Sequence, residues 1–345
     1  MNLFKPKSAI AIFCTSLEIG GEPISSDYYW QAYLDLLLAL KARGIEAYFA
    51  TDNSSYLGGG RFAVAYTTDK KISGPDQLTR VPDVHVDLVF ERAESAPFEG
   101  KDIPAVNPKT LRDIANNKIS IYEHFADLQP KSFVVSSKKD LLKAFAALSG
   151  DRVVVKEQEG YGGDSVYIGY KNDVLDQIPV DKSPLLVQQF IDTSGGVPGK
   201  VTGVHDVRLE ICGGRVSGYY VRMAKAGALH SNVHRGGSMT FLPVEEVPAE
   251  LHALAERIDR SFAPAPRFYA ADFAHCEDGW KLIELNDYVG LARQNTDGSP
   301  SDIEAAKSLE RLSDYLAACA QIQANKHAHR FYRPSRNSFK HLIHH

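Results

Sequence analysis

The chain has 345 residues, of which 44% are hydrophobic, 10% aromatic and 24% charged. This composition is typical of a folded protein, and the length predicts two or three domains of roughly 150 residues each. The formal net charge of −4 argues against nonspecific nucleic-acid binding by the whole chain, because such binding needs a cationic surface. No uninterrupted apolar run approaches the roughly 20 residues of a transmembrane helix, so we expect no membrane partner.

Four cysteines are scattered along the chain: Cys14, Cys212, Cys276 and Cys319. None of them belongs to a C-x-x-C pair, which argues against both a disulfide framework and a zinc cluster. We therefore expect a reducing, cytoplasmic location for the protein.

Residues 1–106 are expected to form a Rossmann-like α/β domain. Three apolar segments have the length and composition of buried strands: 8–14, 45–51 and 86–92. A helix pattern between the first two segments stops at Gly44. Its apolar residues are Tyr29, Tyr33, Leu36 and Leu40. The strand–helix–strand order predicts a parallel sheet with a right-handed crossover. We interpret the glycine run 58–60 as a plain flexible loop rather than a phosphate-binding loop, because no helix or lysine follows it in register.

The boundary of the next region is expected at Asn107-Pro108, because an asparagine N-cap before a proline at the first helical position is typical of a helix start. Four helices are predicted beyond it: 108–117, 137–149, 248–262 and 302–323. The predicted strands are 151–157, 166–170, 185–191, 205–212, 215–224, 267–275 and 280–286. The turns Gly213-Gly214 and 277–279 each predict a hairpin. Residues 324–345 form a basic, histidine-rich tail that either contacts nucleic acid or an anionic surface, or is solvated or docked on its own protein.

The last predicted hairpin carries the most informative cluster of polar residues. Counting back from its turn places Asp272 opposite Glu284 or within one residue of it, and Asn286 faces the same side as Glu284. Two carboxylates and a carboxamide on one sheet face suit Mg²⁺ or Mn²⁺, which prefer hard oxygen ligands and are bound partly through nucleotide phosphates. The alternative is a solvated polar face, but the flanking sequences AADFA and KLIELN are otherwise apolar.

A glycine-rich loop, residues 160–165, lies between two of the predicted strands. Glycines let backbone N–H groups approach phosphate oxygens, although a hairpin also needs glycines for its own geometry. The spacing matches neither a Walker A loop nor a dinucleotide-binding fingerprint. Lys156 ends the strand before this loop, and Lys118 stands upstream at the close of the 108–117 helix. Lysines at such positions are commonly solvated, so neither residue alone indicates a phosphate site.

Charged residues also meet on the first of the two hairpins. Asp206 and Arg208 share a strand face and Arg222 lies on the partner strand, which makes a surface suited to triphosphate and ribose. A polar loop follows this hairpin. Its His230 and His234 are four residues apart, but the serine, asparagine and glycine residues around them argue against a helix and therefore against a zinc site.

The order of these motifs resembles the ATP-grasp superfamily, and most closely its glutathione synthetase and ribosomal-protein glutamate ligase branch. The series is a lysine, VVVKE with GYGG, LVQQFI, DVR, a second arginine, SN-x-x-x-GG and D…ELN, over about residues 107–298. Each motif is weak alone, but the ordered set is specific. The resemblance implies an α+β ATP-grasp fold in which a small subdomain, 107–187, carries a flap and a large subdomain, 188–323, carries the metal site. Residues 1–106 then correspond to the Rossmann-like pre-ATP-grasp domain.

The resemblance also implies two sets of site residues. The first set binds the nucleotide: Lys118 and Lys156 the phosphates, Gly162 and Gly163 as a mobile flap, Gln189, Phe190 and Ile191 adenine, and Asp206 ribose. The second set acts on the reacting groups: Arg208 and Arg222 on the γ-phosphate or acyl phosphate, Asn232 with the 236–237 turn on the acceptor side, and Asp272, Glu284 and Asn286 as magnesium ligands. Two positions depart from the family. Glu157 stands where many relatives have proline, and Asp287-Tyr288 replaces a proline-containing turn.

We therefore expect an ATP-dependent carboxylate–amine ligase. Transfer of the γ-phosphoryl group turns a carboxylate into an acyl phosphate, an amine attacks it, and ADP and phosphate are released. The expected cofactors are ATP and Mg²⁺, or Mn²⁺ in its place. Two alternatives stay open: a kinase of this fold that phosphorylates a hydroxyl, and a nucleotide-binding regulator without turnover. The complete metal trio and both lysines count against the regulator.

The expected substrates are a small carboxylate and an amine, and an amino acid or short peptide is favoured. Arg222 and Arg235 bracket the polar loop and Arg92 ends a strand of the first domain, and arginine forks match carboxylates in bidentate geometry. In the alternative interpretation, Arg92 pairs with a neighbouring acid such as Glu91 or Glu94. Dimers are common among the relatives, so the resemblance also implies a homodimer as one oligomeric state.

Overall fold

The computed structural model describes the chain in these stretches: 7–14, 27–92, 97–160, 165–178, 184–229, 231, 236–262, 264–291 and 298–331. Side chains are described for these residues except 27–29 and 328–331. The chain divides into two compact units, one formed by Met1–Val106 with Ser313–His345 and the other by Asn107–Leu312. None of the helices in the described stretches combines the length and the hydropathy that crossing a bilayer requires.

The first unit is built on a sheet that is parallel at its centre. Its elements are β1 (Ala9–Cys14), α1 (Asp27–Ala42), β2 (Glu46–Ala50), β3 (Tyr56–Gly58), β4 (Arg61–Thr67), β5 (Thr79–His85) and β6 (Leu88–Arg92). The strand order is β3-β4-β2-β1-β6, with β5 paired to β4. Both β2 and β6 run parallel to β1, which confirms the predicted parallel sheet. Strands β3, β4 and β5 add an antiparallel extension that was not predicted.

Burial explains why the parallel centre forms. Every residue of β1 is buried, as expected for a strand that is covered on both faces. On α1, the predicted apolar residues Tyr33, Leu36 and Leu40 are at most 4% exposed. Gly44 follows the helix with a φ of +76°, a left-handed conformation that glycine adopts without strain.

The glycine run 58–60 forms a tight turn of the β3–β4 hairpin rather than a plain loop. All three glycines have positive φ, which explains why this turn needs them. The Gly59 N–H donates to the Asp102 carboxylate at 2.6 Å, and the Tyr56 hydroxyl donates to the same side chain at 2.5 Å. The turn is therefore fixed by a side chain that is distant in sequence.

The second unit begins with helices and a four-stranded antiparallel sheet. Its elements are α2 (Lys109–Ala115), α3 (Lys118–Phe125), β7 (Ser132–Val135), α4 (Lys138–Ala147), β8 (Arg152–Glu157), β9 (Val166–Tyr170), α5 (Lys171–Gln177) and β10 (Leu185–Gln189). The strand order is β7-β10-β8-β9. We call it the small sheet. Strands β8, β9 and β10 lie where they were predicted, whereas β7 and α5 were not predicted.

The start of the second unit corrects a predicted helix cap. Pro108, not Asn107, occupies the N-cap position of α2. Asn107 has a φ of +72°, and its amide nitrogen donates to the carbonyl oxygens of Phe268 and Asp287, each at 2.8 Å. Its side chain is therefore committed to the main chain of a distant hairpin and cannot cap the helix.

The predicted 108–117 helix corresponds to α2, and a second helix that was not predicted, α3, follows it directly. α2 ends at Ala115, and the Asn117 side chain accepts hydrogen bonds from the backbone N–H groups of Ile119 and Ser120. An asparagine that satisfies these otherwise unpaired donors starts a new helix. Lys118 therefore begins α3 instead of closing the preceding helix.

The rest of the second unit is a five-stranded antiparallel sheet with helices. Its elements are β11 (His205–Cys212), β12 (Arg215–Met223), β13 (Ser238–Phe241), α6 (Ala249–Asp259), β14 (Phe268–Cys276), β15 (Gly279–Asn286) and α7 (Pro300–Phe331). The strand order is β13-β12-β11-β14-β15. We call it the large sheet. Both predicted hairpins, β11–β12 and β14–β15, are confirmed.

The last helix is longer than predicted. α7 continues to Phe331, past the predicted end at 323, so the beginning of the predicted basic tail is helical. Residues 332–345 lie outside the described residues. The division between the two compact units falls within α7, between Leu312 and Ser313.

Candidate active site

The two faces of the large sheet differ in chemistry. Val207 and Leu209 of β11 belong to a core that also contains residues of α2, α3 and α6. Because successive side chains on a strand alternate between faces, Asp206 and Arg208 point to the opposite face. On β14, Asp272 likewise lies between the core residues Ala271 and Phe273. The alternation gathers the predicted charged residues on one side of the sheet.

A cavity of about 300 Å³ lies within the second unit against this charged face. The large sheet contributes Asp206, Arg222, Asp272 and Glu284 to the cavity wall, and the small sheet contributes Lys156. Five predicted site residues, brought from five strands, therefore line the same space. The predicted residues Gln189, Phe190 and Ile191 line it as well.

Asp272 and Glu284 are directly opposite each other in the β14–β15 ladder, which confirms the predicted pairing. A register shift follows Asp272, and Asn286 lies opposite Ala270. No described residue forms a hydrogen bond or ion pair with the Glu284 carboxylate. Burial, followed by the neighbouring Asp272 charge, raises the pKa of Glu284. The Lys118, Lys156 and Arg208 charges act on Glu284 in the opposite direction, although none of them forms an ion pair with it.

Two arginines bind the Asp272 carboxylate. Arg208 donates through Nε to Oδ1 at 2.5 Å and through Nη2 to Oδ2 at 2.6 Å. Arg222 donates through Nη2 to Asp272 Oδ2 at 2.7 Å and binds both oxygens of Asp206 at 2.7 Å. The Ser231 hydroxyl adds a 2.7 Å bond to Asp206. Burial alone would raise the pKa of Asp272, but the two guanidinium groups outweigh burial and lower it.

Lys118 and Lys156 are buried, each at 7% exposure, so the solvated alternative is wrong for both. Lys156 Nζ donates to the Ile283 carbonyl at 3.1 Å, and Lys118 Nζ donates to the Gly160 carbonyl at 2.7 Å. Burial lowers the pKa of Lys156 to about 8 and also lowers the pKa of Lys118, while Glu284 raises both. Neither lysine forms an ion pair with a described residue. Burying an ammonium group in this way is costly unless an anion joins it.

Arg152 lines the end of the cavity away from Lys156, and sequence reasoning missed it. It is four residues before Lys156 on β8 and therefore points to the same face, roughly 13 Å away along the strand. Its guanidinium carbon lies 5.0 Å from the Tyr170 ring centroid and 5.6 Å from that of Phe190. The alternation of the strand RVVVKE could have predicted this residue, because Arg152 lies at an even spacing from Lys156 and therefore on the same face.

Several predicted residues fall outside the described part of the chain. These are Gly162, Gly163 and Asn232 among the site residues, and His230, His234 and Arg235 of the polar loop. Their assignments stay predictions. In the first unit, Arg92 is 2% exposed and its Nε donates to the Tyr33 hydroxyl at 3.0 Å.

The donor set at Asp272 and Glu284 fits a hard divalent cation. Glu284 offers a carboxylate without a donor of its own, and Asn286 donates through Nδ2 to Asp272 at 3.4 Å, which leaves its carbonyl oxygen available. Within the described stretches, no three His, Cys, Asp or Glu side chains are grouped to hold a metal ion. A metal here would therefore need the Asn286 carboxamide beside the two carboxylates.

Comparison with known proteins identifies the family. A profile of the RimK-like ATP-grasp domain matches residues 116–311, which is more than half of the chain. This chain belongs to the RimK-like ATP-grasp family. The predicted resemblance to the ATP-grasp superfamily is thereby confirmed.

Individual relatives agree with the RimK-like assignment. A probable alpha-L-glutamate ligase of Rhodopirellula baltica is 26% identical over 264 residues, which are 73% of this chain and 59% of that protein. A RimK domain ATP-grasp protein from Sphaerobacter thermophilus superposes with a TM-score of 0.56 at 20% identity, covering 89% of this chain and 99% of the other. D-alanyl-alanine synthetase A from Vibrio cholerae superposes with a TM-score of 0.59 at 14% identity, covering 92% and 99%.

These structural matches confirm the predicted α+β ATP-grasp fold. The chain spans 47% to 59% of the length of four probable alpha-L-glutamate ligases that it resembles.

Proposed function

We propose that this RimK-like protein is an ATP-dependent carboxylate–amine ligase that acts through an acyl-phosphate intermediate. The observation that carries the proposal is the cavity of the second unit, where the buried Lys156, which forms no ion pair with a described residue, lies beside the Asp272–Glu284 pair. Such a site supplies positive charge for a triphosphate and oxygen ligands for its metal ion. The names of the relatives, which include a glutamate ligase and a D-alanyl-alanine synthetase, support the same reaction class.

Lys118 and Lys156 bind the phosphates of ATP in this proposal. Their ammonium groups now donate only to carbonyl oxygens among the described residues, at 2.7 and 3.1 Å, so phosphate oxygens would replace weaker acceptors. Asp272, Glu284 and Asn286 would hold Mg²⁺ or Mn²⁺, which when bound neutralises phosphate charge. Gln189, Phe190 and Ile191 bind the base in this proposal. The Gln189 end of β10 pairs with the start of β8, whereas Lys156, which binds the phosphates, lies towards the other end of β8.

Arg208 and Arg222 stabilise the charge that develops on the transferred phosphoryl group and on the acyl phosphate. Both already make bidentate contacts with carboxylates, the geometry in which a guanidinium also binds phosphate oxygens. The γ-phosphoryl group passes to a substrate carboxylate, ADP leaves, an amine attacks the acyl carbon, and phosphate is expelled. Asp206 is assigned to ribose, and Gly162, Gly163 and Asn232 to the flap and acceptor side, on the resemblance alone.

The proposed substrates are an amino acid or short peptide as one partner and an amine as the other. The site offers arginine forks that match carboxylates, and the relatives named above act on amino acids according to their names. We expect a screen of amino acids, dipeptides and small acids, alone and in pairs, to give ADP and phosphate release only with a carboxylate and an amine together.

The same screen separates the ligase from its alternatives. A kinase of this fold would release ADP with a hydroxyl compound and retain the phosphoryl group on the product. A regulator would bind ATP and release no ADP with any pair. Glu284→Gln serves as the matched control, because it removes one ligand charge at nearly constant volume and is expected to lower turnover by orders of magnitude.

A further inference from the structure

We propose that Arg152 recognises the purine base, by stacking its guanidinium plane on the ring of the bound nucleotide. The inference rests on the proposed function in one respect, namely that ATP occupies the cavity. It adds to that function a residue, Arg152, that makes the affinity for the nucleotide depend on its base as well as on its phosphates.

The floor of the cavity is formed by a ladder of three cross-strand pairs between β8 and β9, of whose members Tyr170 alone does not line the cavity. Arg152 pairs with Tyr170, Val154 with Ile168, and Lys156 with Val166. Because alternate residues share a face, Arg152, Val154 and Lys156 all point into the cavity, and all three line it. The floor therefore has a cation at each end and an apolar step between them.

The two cations have different surroundings. Lys156 lies beside the Asp272–Glu284 pair, where Glu284 acts on its charge. Arg152 forms no ion pair with a described residue, and its Nη2 donates only to the Tyr170 hydroxyl at a weak 3.5 Å. Asp192 lines the same end of the cavity but accepts the Ser194 backbone N–H at 2.8 Å and makes no ion pair with Arg152. Hydrogen bonds from Ser194, and after them the Arg152 charge, lower the pKa of Asp192, so Arg152 acts on this carboxylate without an ion pair to any described residue.

The contacts that Arg152 does make are aromatic. Its guanidinium carbon lies within 5.0 Å of the Tyr170 ring centroid and 5.6 Å of the Phe190 ring centroid, distances at which a cation is attracted to a ring face. Among the described residues, the 3.5 Å bond from Nη2 to the Tyr170 hydroxyl is the only use of the Arg152 N–H donors. Because arginine stacks on aromatic faces, a guanidinium that already lies beside two rings suits the flat ring of a base as its next partner rather than a phosphate.

The length of the ladder fits a nucleotide whose phosphates lie at Lys156 and whose base lies at Arg152. Arg152 and Lys156 are roughly 13 Å apart along the strand, so one nucleoside triphosphate can place its phosphates at Lys156 and its base near Arg152. The base would cover the apolar Val154–Ile168 step. Only a base-bearing ligand reaches Arg152, whereas a bare polyphosphate at Lys156 does not.

The test compares ligands with and without a base. We expect Arg152→Met to weaken ATP and ADP binding about three- to thirty-fold while leaving the dissociation constant of tripolyphosphate unchanged, measured by calorimetry with Mg²⁺ present. Arg215→Met is the matched control, because Arg215 is exposed on β12, does not line the cavity and carries the same charge. The control variant should bind every ligand as the wild type does.

Two further variants separate stacking from charge and from folding. Arg152→Lys keeps the charge but not the plane, so it should bind ATP more weakly than the wild type. Tyr170→Leu removes a ring that orients Arg152 at an exposed position outside the cavity, and should weaken ATP binding in the same direction by a smaller factor, again without affecting tripolyphosphate.

Several results would overturn the inference. Unchanged ATP affinity in Arg152→Met, full ATP affinity in Arg152→Lys, or an equal loss for ATP and tripolyphosphate would each exclude stacking on the base. Failure of the proposed function looks different: the wild type itself would bind neither ATP nor tripolyphosphate, which would overturn both proposals together.

Discussion

Asp272 already has two guanidinium groups on its oxygens, with Arg208 at 2.5 and 2.6 Å and Arg222 at 2.7 Å. A divalent cation that uses this carboxylate must displace at least one of these bonds, and the displaced arginine needs another anion. In the proposed ligase, triphosphate oxygens supply that anion. Metal and nucleotide should therefore favour each other's binding, because the arginines exchange one anion for the other.

Removing Arg208 tests this exchange directly. Arg208→Met frees Asp272 Oδ1 and removes one positive charge. We therefore expect the nucleotide-free protein to bind Mn²⁺ about tenfold more tightly than the wild type, while turnover falls. Electron paramagnetic resonance of free Mn²⁺ measures the affinity without any turnover. Adding Glu284→Gln to the same variant should reverse the gain. Equal Mn²⁺ affinity in the wild type and Arg208→Met would contradict the exchange.

The buried Lys156 makes the folding stability of the protein depend on pH. Burial lowers its pKa from 10.5 to about 8 in the folded protein. Between these values the unfolded chain binds more protons at this residue, so folding stability rises with pH; below pH 8 both states are protonated and the burial cost is present in full. Relative to the wild type, we expect Lys156→Met to gain most stability at pH 7 and to lose that advantage as pH approaches 10.5.

Urea denaturation of the wild type and Lys156→Met across this pH range gives the difference in the free energy of unfolding. ATP binding by Lys156→Met should be weaker throughout, because a phosphate contact is lost. A stability difference that does not change with pH would show that Lys156 is not a buried, depressed lysine.

At the scale of elements, the β14–β15 hairpin shows how much sequence can predict. Its turn, its apolar flanks and its alternation are all local signals, and they are enough to place Asp272 opposite Glu284 or within one residue of it. The short strands β3, β5 and β13 were missed because an edge strand depends on the partner it finds, not on its own pattern. The bidentate arginine contacts were not predictable either, because they depend on side-chain directions in three dimensions.

Asn107 fastens this hairpin to the start of the second unit. It bonds to the main chain of Phe268, at the beginning of β14, and of Asp287, just after β15. It also occupies a φ of +72°. Asn107→Ala should lose three buried hydrogen bonds and strain the backbone, so we expect a loss of about 2–4 kcal/mol in the free energy of unfolding.

Asn107→Gly separates the two causes. Glycine tolerates positive φ, so this variant should recover about 1 kcal/mol relative to alanine, while the lost hydrogen bonds still destabilise it. Equilibrium denaturation measures both variants. Wild-type stability in Asn107→Ala, or identical stability of the two variants, would contradict this account of the hairpin anchor.

At the scale of the whole molecule, the predicted nucleotide-site residues that the structure describes lie in one compact unit, Asn107–Leu312. The resemblance predicted this because the order of weak motifs along the chain is itself a strong signal. The additional helix α3, which begins after Asn117, and the extension of the last helix to Phe331 did not disturb that order. The central claim about the whole molecule is therefore the ligase reaction proposed for this site.

The path of the carboxylate oxygen tests the ligase proposal most directly. If an acyl phosphate forms, expelling phosphate breaks the bond between the acyl carbon and the bridging oxygen, so one carboxylate oxygen leaves with the phosphate. With the ¹⁸O-labelled carboxylate that supports turnover, we predict one ¹⁸O atom in each phosphate released, in step with ADP and the amide product. Phosphate without label, or a phosphoryl group retained on a hydroxyl product, would contradict the proposed ligase.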